Sequence, residues 1–484
     1  MCIQYIYVCR ILSPHHNLEF THTNQTMAQP HFLLVAFPAQ GHINPALEFA
    51  NRLILNGACV TMVTCISARQ RMTKKLVPDS LAIALFSDGY DDGFEATDDD
   101  DAPNRYLSEV KRRGSQYITE LIKATAGNGG HPFTCLVYTL LNTWVAEVAR
   151  RFQLRSVLLW VQPATVLDIY YYFFSEYAED ISNSSSNGDR VELPGLPTLD
   201  SHDLPSFLLP SNTYTFGLPS FREQLERLSE ETKPTILINT FDALESAALK
   251  AIESFIMVGI GPLIPLIEKD SSNDLKEDYK EWLNLKPSTS VVFVSFGSIA
   301  VLSKQQQEEL ERGLLDSKHP FLWVVREQEE KEKLSCREEL ERQGIIVPWC
   351  SQVEVLSNPS IGCFVSHCGW NSTLESLAAG VPMVALPQWV DQPTNAKMVE
   401  DVWKTGVRVV YNEEGIAQGD EIKRCLEMVM GGEKSEELRR NARKWKHLAA
   451  EAVKDGGSSD KNLKAFVNEV RQESQTRSWD SNLQ

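Results

Sequence analysis

A chain of 484 residues is several times a typical domain of roughly 100–150 residues, so two large folding units are expected. Apolar residues at 43% and charged residues at 23% sit near globular averages and exclude wholesale disorder. The formal net charge of −18 argues against nucleic acid or an anionic membrane surface as the main partner.

Residues 3–12 are apolar but short, are broken by Arg10 and precede no small-residue cleavage site. No later run approaches the ~18 residues of a membrane helix, so no membrane insertion is expected. Residues 1–26 read as an unstructured extension ahead of Met27. A strand over 32–37 then leads through Pro38-Ala39-Gln40-Gly41-His42-Ile43 to Asn44-Pro45, which reads as an N-cap with proline at the first helical position. Ala46, Leu47, Phe49, Ala50, Leu53 and Ile54 repeat at helical spacing, and residues 58–65 form the next strand.

The same rhythm recurs with strands over 135–138, 156–161 and 235–239 and a helix over 143–152. Residues 266–280 turn to Glu, Lys, Asp and Ser, the composition of a linker. Strands follow over 291–295, 321–325, 345–347, 361–365 and 383–386. Strand–helix alternation of this kind predicts an α/β protein with two Rossmann-like domains, 27–265 and 281–455, facing a cleft that takes a ligand. A last helix and tail, 456–484, is expected to pack back on the first domain. Stretches 98–101, 182–188 and 327–332 read as solvated loops or helix faces.

Ten cysteines run from Cys2 to Cys425 without a Cys-x-x-Cys pair, so neither a disulfide scaffold nor a zinc site is expected, and the cytosol is the simplest compartment. The densest chemistry lies in residues 349–392, WCSQVEVLSNPSIGCFVSHCGWNSTLESLAAGVPMVALPQWVDQ. There a strand ends at His367-Cys368-Gly369 and a helix begins near Trp370-Asn371-Ser372-Thr373, a turn that presents backbone N–H groups and a positive helix end to an anion. An aromatic plate (Trp349), an acid one turn into the helix (Glu375) and the pair Asp391-Gln392 lie nearby, a set that suits a nucleotide diphosphate bearing a sugar.

This segment resembles, nearly residue for residue, the donor-binding box of plant family-1 UDP-dependent glycosyltransferases, and the likeness extends over the chain from Met27 onward. The resemblance implies a GT-B fold and UDP-glucose as co-substrate, with no cofactor and no metal. It implies that Trp349 stacks on uracil while Cys350, by its backbone, and Gln352 hold its edge and the ribose. His367, Ser372, Asn371, the Trp370 backbone and Ser298 would bind phosphate oxygens. Glu375 would take the ribose hydroxyls, and Asp391 with Gln392 those of glucose. His42 would be the general base for a small-molecule acceptor, giving a β-glucoside by inversion, and its place before a helix favours the neutral imidazole. The protein is expected to act as a monomer.

Most such relatives orient the base with an aspartate, where this chain has Thr139. A hydroxyl can fix a tautomer but cannot stabilise imidazolium as a carboxylate does, which points to acceptors needing little deprotonation: carboxylates or acidified phenols. Tyr138-Thr139-Leu140-Leu141, the Trp160–Thr165 stretch and Tyr170-Tyr171-Tyr172 resemble a clade of anthocyanin 5-O-glucosyltransferases, flavonoid 7-O-glucosyltransferases and enzymes esterifying crocetin, indole-3-acetate or abscisate. Thr139 also leaves open a nucleotide-sugar-binding protein with little or no turnover. A nicotinamide oxidoreductase lacks its Gly-x-Gly-x-x-Gly, since Gly259-Ile260-Gly261-Pro262 fails at the third glycine. A serine hydrolase lacks its Gly-x-Ser-x-Gly elbow. The Asp-x-Asp within 98–101 follows no strand and is set aside as a metal site.

Overall fold

A computed structural model describes residues 29–72, 77–95, 99, 101–127, 131–214, 216–265, 278–326 and 334–481. The extension 1–26, the charged run 327–332, Asp98 and Asp100, and all of the 266–280 stretch but its last three residues lie outside these.

Among the described residues, thirteen strands form two parallel sheets. The first runs β1 (His31–Val35), β2 (Cys59–Cys65), β3 (Ala82–Phe86), β4 (Cys135–Thr139), β5 (Arg155–Trp160), β6 (Thr235–Ile238) and β7 (Ile256–Gly259). Its spatial order is β3-β2-β1-β4-β5-β6-β7. The second runs β8 (Val291–Ser295), β9 (Phe321–Val324), β10 (Ile345–Val347), β11 (Ile361–Ser366), β12 (Met383–Ala385) and β13 (Gly406–Arg408), in the order β10-β9-β8-β11-β12-β13. Both orders are doubly wound. In each, the strand sequence reverses beside one strand, and the reversal opens a crevice at the strands' carboxyl ends. In the first sheet the reversal lies between β1 and β4, in the second between β8 and β11.

Continuous apolar runs follow from this layering. Along β8, Val291 and Phe293 enter one buried cluster while Val292 and Val294 enter another on the opposite face. Both faces are covered, so the strand shows no polar alternation.

By internal contacts the described residues up to Leu159, with Arg227–Ile236 and the chain from Lys461, form one compact unit. Trp160–Glu226 and Leu237–Asp460 form the other. In the first unit the last helix, Ser458–Ser481, buries Leu463, Phe466, Val467 and Val470. The Phe466 ring lies 5.8 Å from that of Phe32, and Arg155 meets Glu473 at 2.8 Å and Glu469 at 3.1 Å. Among the described residues no helix is long and apolar enough to cross a membrane, and all eight described cysteines are free.

The first helix departs from expectation. It spans Gln40–Leu55, with Pro45 inside it and Ala39 as N-cap, so His42 sits in its first turn and not in a loop. Asn44 does not cap; its Oδ1 accepts from Gln40 Nε2 at 2.6 Å, one turn earlier. Pro45 lacks a donor only for the second turn, a loss that the buried face Ile43, Ala46, Leu47, Phe49, Ala50 and Leu53 outweighs.

Candidate active site

Each crevice gathers one set of polar side chains. In the first sheet, His42 follows β1 and Thr139 ends the neighbouring β4. The Thr139 hydroxyl lies 3.2 Å from His42 Nδ1 and accepts the Phe37 N–H at 3.0 Å. Asn142 Nδ2 stands 3.5 Å from the same oxygen. Thr139 is fully buried, and desolvation lowers His42 to about 4. The helix end was expected to keep this imidazole neutral; burial is the larger cause. For Nε2 to take a proton, Nδ1 must carry the hydrogen and donate it to Thr139 Oγ1, a tautomer assigned here by role.

In the second sheet, the loop after β8 and the turn after β11 close on His367. A Cβ on Gly297, at φ +74°, would stand 2.8 Å from His367 Cε1, and one on Gly369 would stand 2.5 Å from Nε2. Only glycines let the two backbones approach this ring so closely. His367 is lowered to about 4, first by burial and then by the Arg326 charge, so it is a neutral donor or acceptor at pH 7. Arg326 Nη1 donates to the Ser298 carbonyl at 2.5 Å and Nη2 to that of Ala300, tying down the loop that carries the exposed Ser298.

The helix Trp370–Ala379 starts at Gly369 with no side-chain cap, which leaves its positive end for an anion beside Asn371 and the buried Ser372. The Trp370 indole is committed to the fold, donating to the Asn239 carbonyl at 2.7 Å, so only its backbone is available to a ligand. Gln352 Nε2 bridges Ser372 Oγ at 2.9 Å and Glu375 Oε2 at 2.6 Å. Burial pushes Glu375 up to about 7, against that hydrogen bond. Trp349 is 61% exposed, a large aromatic surface left open, whereas the adjacent Cys350 is buried.

Asp391 and Gln392 are both buried. Asn395 Nδ2 reaches Asp391 Oδ2 at 2.7 Å and the Cys368 carbonyl at 2.8 Å, linking this corner to the His367 turn. Burial raises Asp391 to about 6. Gln392 Oε1 accepts the backbone N–H groups of Gln388 and Trp389 at 2.8 and 3.1 Å.

The structure thus brings Gln352, Ser372 and Glu375 into one cluster, and joins Asp391 to the His367 turn through Asn395. His42 and Thr139 form a separate pair in the other unit. Sequence reasoning missed Arg326 and Asn395. Arg326 had a signal, a basic residue two positions beyond the carboxyl end of a parallel strand. Asn395 had none.

Residues 261–442 match the family described as UDP-glucoronosyl and UDP-glucosyl transferase. The chain is 57% identical to phloretin 4'-O-glucosyltransferase of Malus domestica, over 92% of its own length and 98% of that protein. It is 55% identical to the chloroplastic crocetin glucosyltransferase of Gardenia jasminoides, over 91% and 98%. Among solved structures, Os79 from O. sativa in complex with U2F and trichothecene superposes with a TM-score of 0.80 at 36% identity, covering 91% of this chain and all of that one.

Proposed function

This chain belongs to the plant UDP-dependent glycosyltransferases, and from that premise we propose that it transfers glucose from UDP-glucose to phenolic or carboxylic plant metabolites with inversion at the anomeric carbon. The observation that carries the reading is the cluster of Gln352, Ser372 and Glu375 at an uncapped helix start beside a glycine-enclosed His367. Relatives named for phloretin and crocetin support both acceptor classes.

In this reading Trp349 offers its open face to uracil, with the Cys350 backbone and Gln352 at its edge. Ionised Glu375 accepts the ribose hydroxyls. The Trp370 and Asn371 backbone, Ser372, His367 and Ser298 receive the diphosphate, and Asp391 with Gln392 holds the glucose hydroxyls. The acceptor oxygen attacks the anomeric carbon as the bond to the phosphate oxygen breaks. UDP leaves with that electron pair, its growing charge met by fixed dipoles and donors. His42 Nε2 takes the proton of a hydroxyl acceptor; an ionised carboxylate brings none. No metal enters, because helix end and side chains carry that duty. The eight described cysteines are all free, which supports a reducing compartment, and we place the enzyme in the cytosol.

The test is transfer from UDP-glucose to a panel of phenols and carboxylic acids, with each product treated with mild alkali. Glucose esters, cleaved by alkali, are expected from the acids at rates above those of unactivated phenols. Binding of UDP-glucose with no transfer to any acceptor would instead leave a nucleotide-sugar-binding protein.

A further inference from the structure

The two residues proposed to hold the sugar follow a backbone position that an unconstrained chain avoids. Val390 has φ +58°, in the left-handed region where a β-branched side chain is a genuine outlier. Both of its backbone polar groups are held by one residue. The Val390 N–H donates to Ser206 Oγ at 2.7 Å, and the Val390 carbonyl accepts the Ser206 N–H at 2.8 Å.

Ser206 is itself anchored through Asp203, three residues earlier. The Asp203 carboxylate is buried, with Arg408 Nη1 at 2.8 Å and Lys397 Nζ at 3.3 Å. Its carbonyl accepts Thr394 Oγ1 at 2.6 Å, while Arg408 Nη2 donates to the His202 carbonyl at 2.7 Å. Lys397 and Thr394 lie on the helix Gln392–Lys397 that opens immediately after Asp391, and Arg408 ends β13. Asp200, His202 and Asp203 stand close enough to share a cation, yet the Asp203 charge is already met by arginine and lysine. All of these residues belong to one compact unit.

We infer that the segment from Asp203 to Ser206 is a strap that holds Val390 in its left-handed conformation and thereby aims Asp391 and Gln392 at the sugar, with Ser206 as a positioning residue. This rests on the donor reading above. Contacts that served stability alone could fall anywhere along the segment. Here the hydroxyl and the N–H of Ser206 converge on the strained residue next to the proposed sugar ligands. Without the Ser206 hydroxyl, the Val390 N–H loses its acceptor, and of the two bonds only that from the Ser206 N–H to the Val390 carbonyl is left to hold the turn ahead of Asp391. The uracil and ribose groups Trp349, Gln352 and Glu375 have no bond to the strap and are unaffected.

Calorimetric titration with UDP and rate measurements with UDP-glucose and UDP-galactose, on wild type, Ser206→Ala and Ser206→Thr, test this. Ser206→Ala is expected to bind UDP as wild type does. It should lose about tenfold in kcat/KM for UDP-glucose, in line with a half-buried donor left unpaired, and its preference for UDP-glucose over UDP-galactose should narrow. Ser206→Thr should restore both. Wild-type discrimination in Ser206→Ala, or UDP affinity falling in step with transfer, overturns the strap. Should Ser206→Ala not fold, Ser206→Cys, which keeps a weaker acceptor, should show an intermediate narrowing, and unchanged discrimination there overturns the strap equally. A wild-type chain that fails to bind UDP removes the donor reading itself, which is a different result.

Discussion

Around Glu375 and Asp391 each carboxylate meets a side-chain amide, Gln352 at 2.6 Å and Asn395 at 2.7 Å, and each amide reaches a second partner in the same corner. Around His42 the arrangement is sparser. Its Nδ1 faces one hydroxyl, that of Thr139, and that oxygen already accepts the Phe37 N–H. A diphosphate sugar presents the same donors and acceptors at every turnover, so a site that is fixed and multiply bonded costs little reorganisation. A base supported by a neutral dipole gains little when it becomes imidazolium, because no opposite charge is there to hold it. In the proposed reading, binding energy is concentrated on the nucleotide sugar, and the acceptor supplies much of its own nucleophilicity.

The largest effect that would break this comparison comes from His42→Ala. With a phenol acceptor kcat should fall by about 10²–10⁴-fold, the usual contribution of a positioned base, while UDP affinity is unchanged. With a carboxylic acid, ionised before it binds, the loss should be far smaller. Steady-state rates on one phenol and one acid decide it. Equal losses on both would mean that His42 orients the acceptor and does not take its proton.

A smaller effect sharpens the donor side. Glu375 is pushed up to about 7, so in the empty site it is largely protonated at pH 6 and largely ionised at pH 8. Ribose hydroxyls donate to the ionised form. UDP-glucose affinity should therefore fall by about tenfold as pH is lowered from 8 to 6, and Glu375→Gln should flatten that dependence. UDP-glucose is the proper probe, because its diphosphate has no terminal group to titrate in this range. In stability the sign is opposite: a carboxyl raised in the fold favours folding below its unfolded value near 4.5, and that contribution is lost as pH rises through about 7. A flat binding profile in the wild type would separate Glu375 from the ribose.

Legibility in the sequence mostly followed burial. Strand β8 falls on its expected limits, and β1, β2, β4, β5, β6, β9, β11 and β12 within two residues, because interior parallel strands are apolar on both faces and bounded by turn residues; β10, at an edge and half-buried, also falls on its limits through its run Ile345-Ile346-Val347. The strands missed, β3, β7 and β13, are three of the four at sheet edges, where one side has no neighbour and the pattern weakens. The helix start near His42 was misplaced because Asn44-Pro45 imitates a cap, while the packing that extends the helix back to Gln40 is tertiary. Among the site residues, Trp349, Glu375 and Asp391 could be read from type and spacing. The partners that fix them could not: Asn395, Ser206 and Arg408 reach their targets through bonds that fold topology alone creates, and a left-handed valine leaves no trace in composition.

Thr139→Asp gives the smallest effect and the most direct test of the sparse side. A carboxylate at a position 3.2 Å from Nδ1 would favour the imidazolium that forms as the acceptor's proton is taken. The position is fully buried, so the new charge carries a desolvation penalty, partly offset by the Phe37 N–H now pointing at it from 3.0 Å and by the imidazole N–H. Rates on weakly acidic phenols should rise by about 3–10-fold, with rates on carboxylic acids unchanged. The pH profile supplies the control. Wild-type His42, held near 4, stays neutral down to about pH 5, and its acid limb should appear only below that. In Thr139→Asp the same limb should move to higher pH, since a neighbouring negative charge makes the imidazole harder to keep neutral. An increased rate with an unmoved limb would mean that the substitution acts on acceptor binding, and an unmoved rate with a shifted limb would mean that proton transfer does not limit turnover on phenols.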